Sequence, residues 1–241
     1  MEETTKYVNV EWLRENFPCM MACPVHTEAG RYVHLIAQGR YAEAYRVARA
    51  PNPFASICGR ICAAPCEGVC RRGKLDQPIA IRALKRFVTE RFGVESMIDV
   101  IKLQEVLRPR IKPKNKKVAI IGAGPAGLSC AHDLALMGYQ VSVIEKHKVP
   151  GGMLRLGVPE YRLPRELIRL EINAILSLGV NLQLGKALGR DFYLKDLRNA
   201  GYDAIFLAMG AHKNRVLNIE GIQADGILNA IDYLLNVNLG Y

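Results

Sequence analysis

Six cysteines lie between positions 19 and 70 of the 241-residue chain, and neighbours within each group have the spacing CxxxC. The first group reads PCMMACP and the second reads CGRICAAPCEGVC, which together supply Cys19, Cys23, Cys58, Cys62, Cys66 and Cys70. Thiolates at such short spacings bind iron–sulfur clusters or zinc. Six thiolates suffice for one site with four cysteine ligands but not for two. The spacing therefore predicts an iron–sulfur cluster, with a zinc site or metal-free buried thiols as the alternatives.

Other reactive side chains form no recognisable constellation. Cys130 stands apart in an apolar helical pattern and is predicted to be a buried core thiol. The five histidines are scattered without metal-ligand spacing, and no nucleophile is paired with a base. We therefore assign no catalytic side chain, so any redox chemistry has to be supplied by bound cofactors.

A glycine-rich segment, Gly122-Ala-Gly-Pro-Ala-Gly127, has the spacing GxGxxG between an apolar β-branched run and a helical pattern. In this context Gly122 permits a tight turn, Gly124 lets the backbone approach a pyrophosphate, and Gly127 lets helix and strand pack closely. Glu145 closes the next apolar run, where a carboxylate binds ribose hydroxyls and disfavours a 2′-phosphate. The segment predicts a dinucleotide site without separating FAD from NAD; a turn that binds no ligand is the alternative.

Two regions of different periodicity must position these groups. Residues 1–107 show only helical spacing, including a helix over 78–92 that Gly93 is expected to end. Beyond them, strands are predicted over 117–121, 140–145, 180–184 and 203–208, the last of them buried, with helices from the glycine turn to about 137, over 163–178 and over 196–200. Alternating strands and helices are typical of a parallel sheet. The fold class is therefore α+β overall: an all-α iron–sulfur domain (1–107), then a partial Rossmann-like α/β domain (118–241).

A basic segment, RPRIKPKNKK at 108–117, separates the two regions and contributes to a net charge of +10. It contains prolines and no aromatic residue, which indicates a solvated linker or a partner-docking segment rather than a nucleic-acid interface. No apolar run is long enough to cross a bilayer, and the polar start MEETTKYVNVEW lacks the features of a secretory signal. We expect a cytoplasmic protein that does not bind nucleic acid and does not span a membrane.

The order of these motifs, together with GGMLRLGVPEYRLP (151–164) and GYDAIFLAMGA (201–211), spans nearly the whole chain. It resembles the small subunit of NADPH-dependent glutamate synthase, the amino-terminal region of dihydropyrimidine dehydrogenase and related ferredoxin–NADP oxidoreductase subunits. The resemblance implies FAD at the glycine fingerprint, reduced by a hydride from NAD(P)H. It also implies 4Fe–4S clusters that carry single electrons to another redox protein or subunit, in a hetero-oligomer.

The fingerprint and the resemblance together give a set of expected FAD-binding residues. It comprises Gly122, Gly124, Pro125, Ala126, Gly127, Glu145, Lys146, Gly152, Met153, Leu154, Gly157, Arg162, Ala208 and Gly210.

The resemblance also implies a division of the cysteines, but this chain departs from the family pattern. Cys23, Cys62 and Cys66 match one cluster of the family, whereas Cys19 and Cys70 match the other. A further cysteine pair of the family is absent, and Lys85 stands where the family often has a Glu or Gln ligand. An ammonium group cannot bind iron. Cys58, one helical turn before Cys62, could complete the first set, so we expect one 4Fe–4S cluster, with two as the alternative.

The family continues with a nicotinamide-binding domain, but this sequence contains a single GxGxxG motif. We therefore expect NAD(P)H to bind on a missing domain or a partner chain. The sequence predicts an iron–sulfur flavoprotein oxidoreductase, or its front portion. The alternative is a non-catalytic docking or assembly subunit with a structural metal site.

Overall fold

The computed structural model describes residues 10–96, 112–213, 215 and 217–240. The chain divides into two compact units, Met1–Ile98 and Asp99–Tyr241. The predicted fold class is confirmed, because a helical unit precedes a parallel α/β unit. The domain boundaries at 107 and 118 stay predictions. Residues 108–111 of the expected linker lie outside the described residues, and 112–116 form neither helix nor strand.

The first unit consists of short helices, and its described residues 10–96 contain no strand, as predicted. The helices are α1 (Val10–Asn16), α2 (Pro18–Met21), α3 (Ala29–Ala37), α4 (Tyr41–Arg49), α5 (Ala55–Ile61), α6 (Pro65–Gly68) and α7 (Ile81–Phe92), with a 3-10 turn over Arg71–Lys74. Helices this short are marginal in isolation, so packing and bound groups have to stabilise them.

Helix α7 organises the packing of the first unit. Its buried residues, Ile81, Lys85, Val88 and Thr89, recur at the spacing of one helix face, and α7 packs against α3, α4 and α5. It begins at Ile81 rather than at the predicted 78. Gly93 follows α7 as expected, but in an extended conformation with φ of −95° instead of the left-handed one.

The second unit is built on four parallel strands in the order β3-β2-β1-β4. They are β1 (Lys117–Ile121), β2 (Gln140–Glu145), β3 (Asn181–Leu184) and β4 (Ala204–Leu207). The helices are α8 (Pro125–Leu136), α9 (Met153–Leu156), α10 (Arg165–Leu176), α11 (Leu194–Asn199) and α12 (Ala230–Leu239). In the central register Val118 of β1 pairs with Val141 of β2 and with Ala204 of β4. This alignment brings the carboxyl ends of the strands to one edge of the sheet.

Two burial predictions are wrong. β4 is not a buried strand, since Phe206 and Leu207 are 41% and 51% exposed; it lies at the edge of the four-stranded sheet and pairs only with β1. Cys130 is not a core thiol but is half-buried, because α8 turns other side chains of that helix, including Leu128 and Ala131, into the core. In the described ranges, every helix is too short or too polar to cross a bilayer.

Candidate cofactor sites

Four of the six clustered thiols are supplied with N–H donors by the surrounding chain. The Asn52 side-chain amide donates to Cys58 Sγ at 3.0 Å, and the Ala64 N–H donates to Cys62 Sγ at 3.3 Å. The backbone N–H groups of Val25 and Thr27 serve Cys23, and that of Glu67 serves Cys66. Donors aimed at sulfur stabilise a thiolate, which is the form that binds a metal.

These four thiols also act on one another electrostatically. Burial raises the pKa of Cys66 to about 11, and the neighbouring Cys62, Glu67 and Cys23 add to the shift. Burial likewise raises the pKa of Cys58, reinforced by Cys62 and Cys23 and opposed by Asn52 and Lys85. At Cys23, burial is outweighed by the hydrogen bonds from Thr27 and Val25 and by the charge of Lys85, so its pKa is lowered. Thiols this close together give up their protons readily only where a bound metal or cluster neutralises the resulting charge.

The predicted pair Cys19 and Cys70 is placed differently. Cys19 lies on α2, and its charge reaches Tyr32 together with those of Cys23 and Cys66. Cys70 precedes the 3-10 turn, where its charge acts on Arg72. Among the described residues, neither sulfur accepts a hydrogen bond like those found at Cys58 and Cys62.

Within the described ranges, no three His, Cys, Asp or Glu side chains are arranged to hold a metal ion. The donor chemistry nevertheless fits an iron–sulfur cluster: four free thiols with N–H donors lie within electrostatic reach of one another. These are the four cysteines expected to hold one cluster, and that assignment stays a prediction.

A cavity of about 300 Å³ lies at the carboxyl ends of the strands, where parallel sheets bind their ligands. Most of the expected FAD-binding residues line it: Gly122, Gly124, Pro125, Ala126, Glu145, Lys146, Gly152, Met153, Ala208 and Gly210. Of the others, Gly127 is buried in α8, Gly157 follows α9, Leu154 lies within α9, and Arg162 is exposed, all outside the lining.

The presence of glycine has a different structural explanation at each of three positions around this cavity. A Cβ on Gly127 would lie 1.9 Å from the Gly122 carbonyl oxygen, so α8 can approach β1 only over a glycine. Gly122 has φ of +110°, and a Cβ there would lie 2.3 Å from the Ala208 carbonyl oxygen. A Cβ on Gly124 would meet only Gly152 Cα, at an ordinary 3.8 Å. None of the described residues requires glycine at 124, which fits a position kept clear for a ligand.

Glu145 lies at the end of β2 and is already engaged by the backbone. Its Oε2 accepts the Ala123 N–H at 2.8 Å, and its Oε1 accepts the His147 N–H at 2.8 Å. The residue is 6% exposed and lines the cavity. Its carboxylate therefore holds the glycine turn in place and keeps lone pairs for further donors.

Sequence reasoning missed several residues of this cavity, notably His147, Lys186 and His212. They follow β2, β3 and β4, so the rule that parallel strands end at one edge was the available signal. The buried Nε2 of His147 has no hydrogen-bond partner in the described part of the chain, and burial lowers the pKa of this imidazole despite the nearby Glu145. An unpartnered ring nitrogen in the cavity wall fits a site that a polar ligand completes.

A larger cavity, of about 720 Å³, lies at the opposite edge of the sheet. Lys117, Gln140 and Asn181, which begin three of the strands, line it. It contains none of the glycines of the fingerprint and lies away from the helix amino terminus that binds anions. The smaller cavity is therefore the better candidate for a dinucleotide site.

Two known families match the chain, one over each unit. Residues 14–97 match the family described as dihydropyrimidine dehydrogenase domain II, 4Fe–4S cluster. Residues 116–237 match the pyridine nucleotide-disulphide oxidoreductase family. Each match lies within one unit: the first includes the clustered cysteines, and the second includes the glycine fingerprint.

Three relatives match almost the whole chain. The NADP(+)-dependent formate dehydrogenase subunit beta of Moorella thermoacetica is 39% identical over 92% of this chain and 34% of its own length. The NADPH-Fe(3+) oxidoreductase subunit beta of Geobacter sulfurreducens is 38% identical over 92% and 33%. The glutamate synthase [NADPH] small chain of Escherichia coli is 32% identical over 90% and 45%. The chain thus spans about a third of the length of the first two relatives.

A helical 4Fe–4S domain followed by an FAD-binding α/β domain defines the class of iron–sulfur flavoprotein oxidoreductase subunits. The chain belongs to the pyridine nucleotide-disulphide oxidoreductase family, within the group that includes the glutamate synthase small chain. The resemblance noted in the sequence is confirmed.

Proposed function

We propose that this chain is the part of an electron-transfer enzyme that holds FAD and one 4Fe–4S cluster. Its electrons come from NAD(P)H, bound by a further domain or a partner chain, and leave to another redox protein or subunit. The observation that carries the proposal is the pairing, in one chain, of four N–H-supplied thiols with a glycine-lined cavity at the strand ends. When bound, FAD supplies two-electron hydride chemistry and the cluster supplies one-electron transfer.

The FAD site would be formed mainly by backbone. The first N–H groups of α8, at Ala126 and Gly127, have no partner within the helix and would face the pyrophosphate. Gly124 leaves the room that this approach needs, and Glu145 would accept hydrogen bonds from ribose hydroxyls. Lys146 and Lys186, which also line the cavity, would balance the phosphate charge.

The cluster would be held by Cys23, Cys58, Cys62 and Cys66. Their N–H donors orient the sulfurs and favour the thiolate form. Cys19 and Cys70 are not ligands in this proposal. The chain then has one complete ligand set, and the family's Glu or Gln ligand, whose position Lys85 occupies here, is not needed.

The proposed partners follow from the relatives, which are named as a beta subunit or a small chain of larger enzymes. We propose that this protein likewise works in a hetero-oligomer with an electron acceptor. The identity of that acceptor lies with the partner and not with the residues of this chain.

Anaerobic reconstitution of the 241-residue chain with iron, sulfide and FAD tests the proposal. We expect flavin and iron–sulfur absorption and about four irons per chain. Replacing Cys23, Cys58, Cys62 or Cys66 by Ser should remove most of the iron, whereas Cys19→Ser, Cys70→Ser and the control Cys130→Ser should retain it. A colourless protein that binds zinc would instead support a docking subunit, and about eight irons would show a second cluster.

A further inference from the structure

Lys85 occupies an unusual position for a lysine. It lies on the buried stripe of α7 between Ile81 and Val88 and is only 9% exposed. Lysine is among the residues least often buried unless it is paired. Yet no hydrogen bond or ion pair of its ammonium is found in the described part of the chain. Its Nζ instead lies over the Tyr32 ring, 5.8 Å from the ring centroid.

The surroundings fix where this charge points. Tyr32 is 1% exposed, and its hydroxyl donates to the Ile81 carbonyl oxygen at 3.0 Å, which ties the ring to the first turn of α7. Tyr32 in turn lies within the field of the thiols of Cys66, Cys23 and Cys19. The ammonium of Lys85 is thus held in the interior of the helical unit, on the side where the thiols gather.

The charge of Lys85 reaches two of the four proposed ligands directly. Helix α5, which carries Cys58, packs against α7, and a Cβ on Gly59 would lie 3.0 Å from the Cα of Arg86, the residue next to Lys85. The positive charge of Lys85 acts on the sulfurs of both Cys23 and Cys58 and favours their thiolate form. A cation that faces two sulfurs of one site is placed to compensate negative charge at that site.

A 4Fe–4S cluster with four thiolate ligands is an anion, and reduction by one electron makes it more negative. Its reduction potential depends on net charge, on hydrogen bonds to sulfur and on exposure. A fixed cation stabilises the more negative, reduced state over the oxidised one. We propose that Lys85 tunes the cluster: its buried ammonium, facing Cys23 and Cys58 from the core stripe of α7, raises the reduction potential of the bound cluster.

This inference rests on the proposed cluster at Cys23, Cys58, Cys62 and Cys66. A purely structural role for Lys85 would consist of burying its aliphatic stem and stacking its ammonium on Tyr32. Such a role changes the stability of the helical unit when it is lost, but not the redox equilibrium of a cluster that is retained. The reduction potential therefore separates the two roles.

The experiment measures the midpoint potential of the reconstituted 241-residue chain by anaerobic titration followed by electron paramagnetic resonance. Lys85→Gln and Lys85→Met remove the charge, Lys85→Arg keeps it, and Lys74→Gln removes an exposed lysine of the same unit as the matched control. We expect Lys85→Gln and Lys85→Met to lower the equilibrium constant for one-electron reduction about tenfold, a shift of about 59 mV to lower potential. Lys85→Arg and Lys74→Gln should stay at the wild-type value.

The outcomes are distinguishable. An unchanged midpoint in Lys85→Gln and Lys85→Met with full iron content overturns the inference. If these two variants lose iron or do not fold, Lys85→Arg decides: a loaded cluster at the wild-type potential supports the inference, and a failure as severe as that of Lys85→Gln overturns it. A wild-type chain that binds no iron and sulfide refutes the proposed function instead.

Discussion

The two units make their sites in opposite ways. In the helical unit the candidate ligands are cysteine side chains on or beside short helices such as α5 and α6. In the α/β unit the cavity is made by backbone, with Gly122, Gly127 and Gly152 packed against neighbouring main chain. A site built of side chains on short helices depends on its ligand for stability, whereas a site built of strand ends exists before the ligand arrives.

The strongest test of this contrast removes a proposed cluster ligand. Cys62→Ser or Cys66→Ser should abolish most iron binding and destabilise the helical unit, because ligation contributes to the folding of small metal domains. Hydrogen exchange of the reconstituted chain should show protection lost in α5 to α7 and kept in β1 and β2. Cys130→Ser is the control. Equal loss of protection in both units would contradict the contrast.

A pair of glycine substitutions tests the preformed site. In Gly127→Ala the new Cβ would lie 1.9 Å from the Gly122 carbonyl oxygen, so α8 and β1 must separate. We expect a loss of about 2–3 kcal/mol in the free energy of unfolding of the α/β unit.

The matched variant is Gly124→Ala, which meets no closer contact than 3.8 Å. It should unfold within about 0.5 kcal/mol of the wild type and still bind FAD at least about tenfold more weakly, because its methyl group occupies the space near the pyrophosphate. Urea unfolding and flavin fluorescence titration measure the two effects. Wild-type FAD affinity in Gly124→Ala would place the cofactor elsewhere.

Glu145→Gln sharpens the comparison at a single side chain. The carboxylate accepts two backbone N–H groups, whereas an amide has one accepting oxygen, so one N–H is left without its acceptor. We expect a loss of about 1–2 kcal/mol in unfolding free energy together with weaker FAD binding. An unfolding curve that coincides with that of the wild type would show that these N–H groups find other partners.

The smallest expected effect is a pH dependence confined to the α/β unit. Burial holds the pKa of His147 below its ordinary value, opposed by Glu145 and aided by Lys146 and His212. The imidazole of His147 therefore binds a proton more readily in the unfolded chain than in the folded one. As a result, the α/β unit loses stability as the pH falls below about 6.5.

The pH dependence is read from urea unfolding of the α/β unit on both sides of that pH. His147→Gln should reduce the acid destabilisation, and His34→Gln, an exposed histidine of the helical unit, should not. If the unfolding free energy of His147→Gln fell more steeply in acid than that of the wild type, the direction assigned to this pH dependence would be wrong.

Much of the fold could be predicted from the sequence wherever a strand or helix shows a clear hydrophobic pattern of its own. The apolar runs of β1 and β2 gave the observed bounds, because central strands of a parallel sheet are apolar on both faces. Composition could not show that β4 lies at an edge, so its burial was mispredicted. Helices α5 and α6 were missed because they are short and their cysteines, glycines and prolines obscure the apolar periodicity.

The candidate sites show the same distinction between features that local sequence determines and features that only the fold brings together. The glycine fingerprint located its cavity because a local turn determines it. His147, Lys186 and His212 meet only when the strands align, which no local pattern records. The CxxxC spacing could not separate four thiols from six; their hydrogen-bond donors, such as Asn52, come from other segments.

The contact between Gly124 and Gly152 has an evolutionary consequence. Gly152 has φ of +52°, and a Cβ there would lie 2.7 Å from Gly124 Cα, so the fold itself selects glycine at 152. Gly124 is under no such constraint from the fold. In a descendant that had lost its cofactor, Gly122, Gly127 and Gly152 would persist under selection for folding, while position 124 would be free to drift. The residue at 124 is therefore the one glycine of this group whose history records whether the nucleotide is still bound.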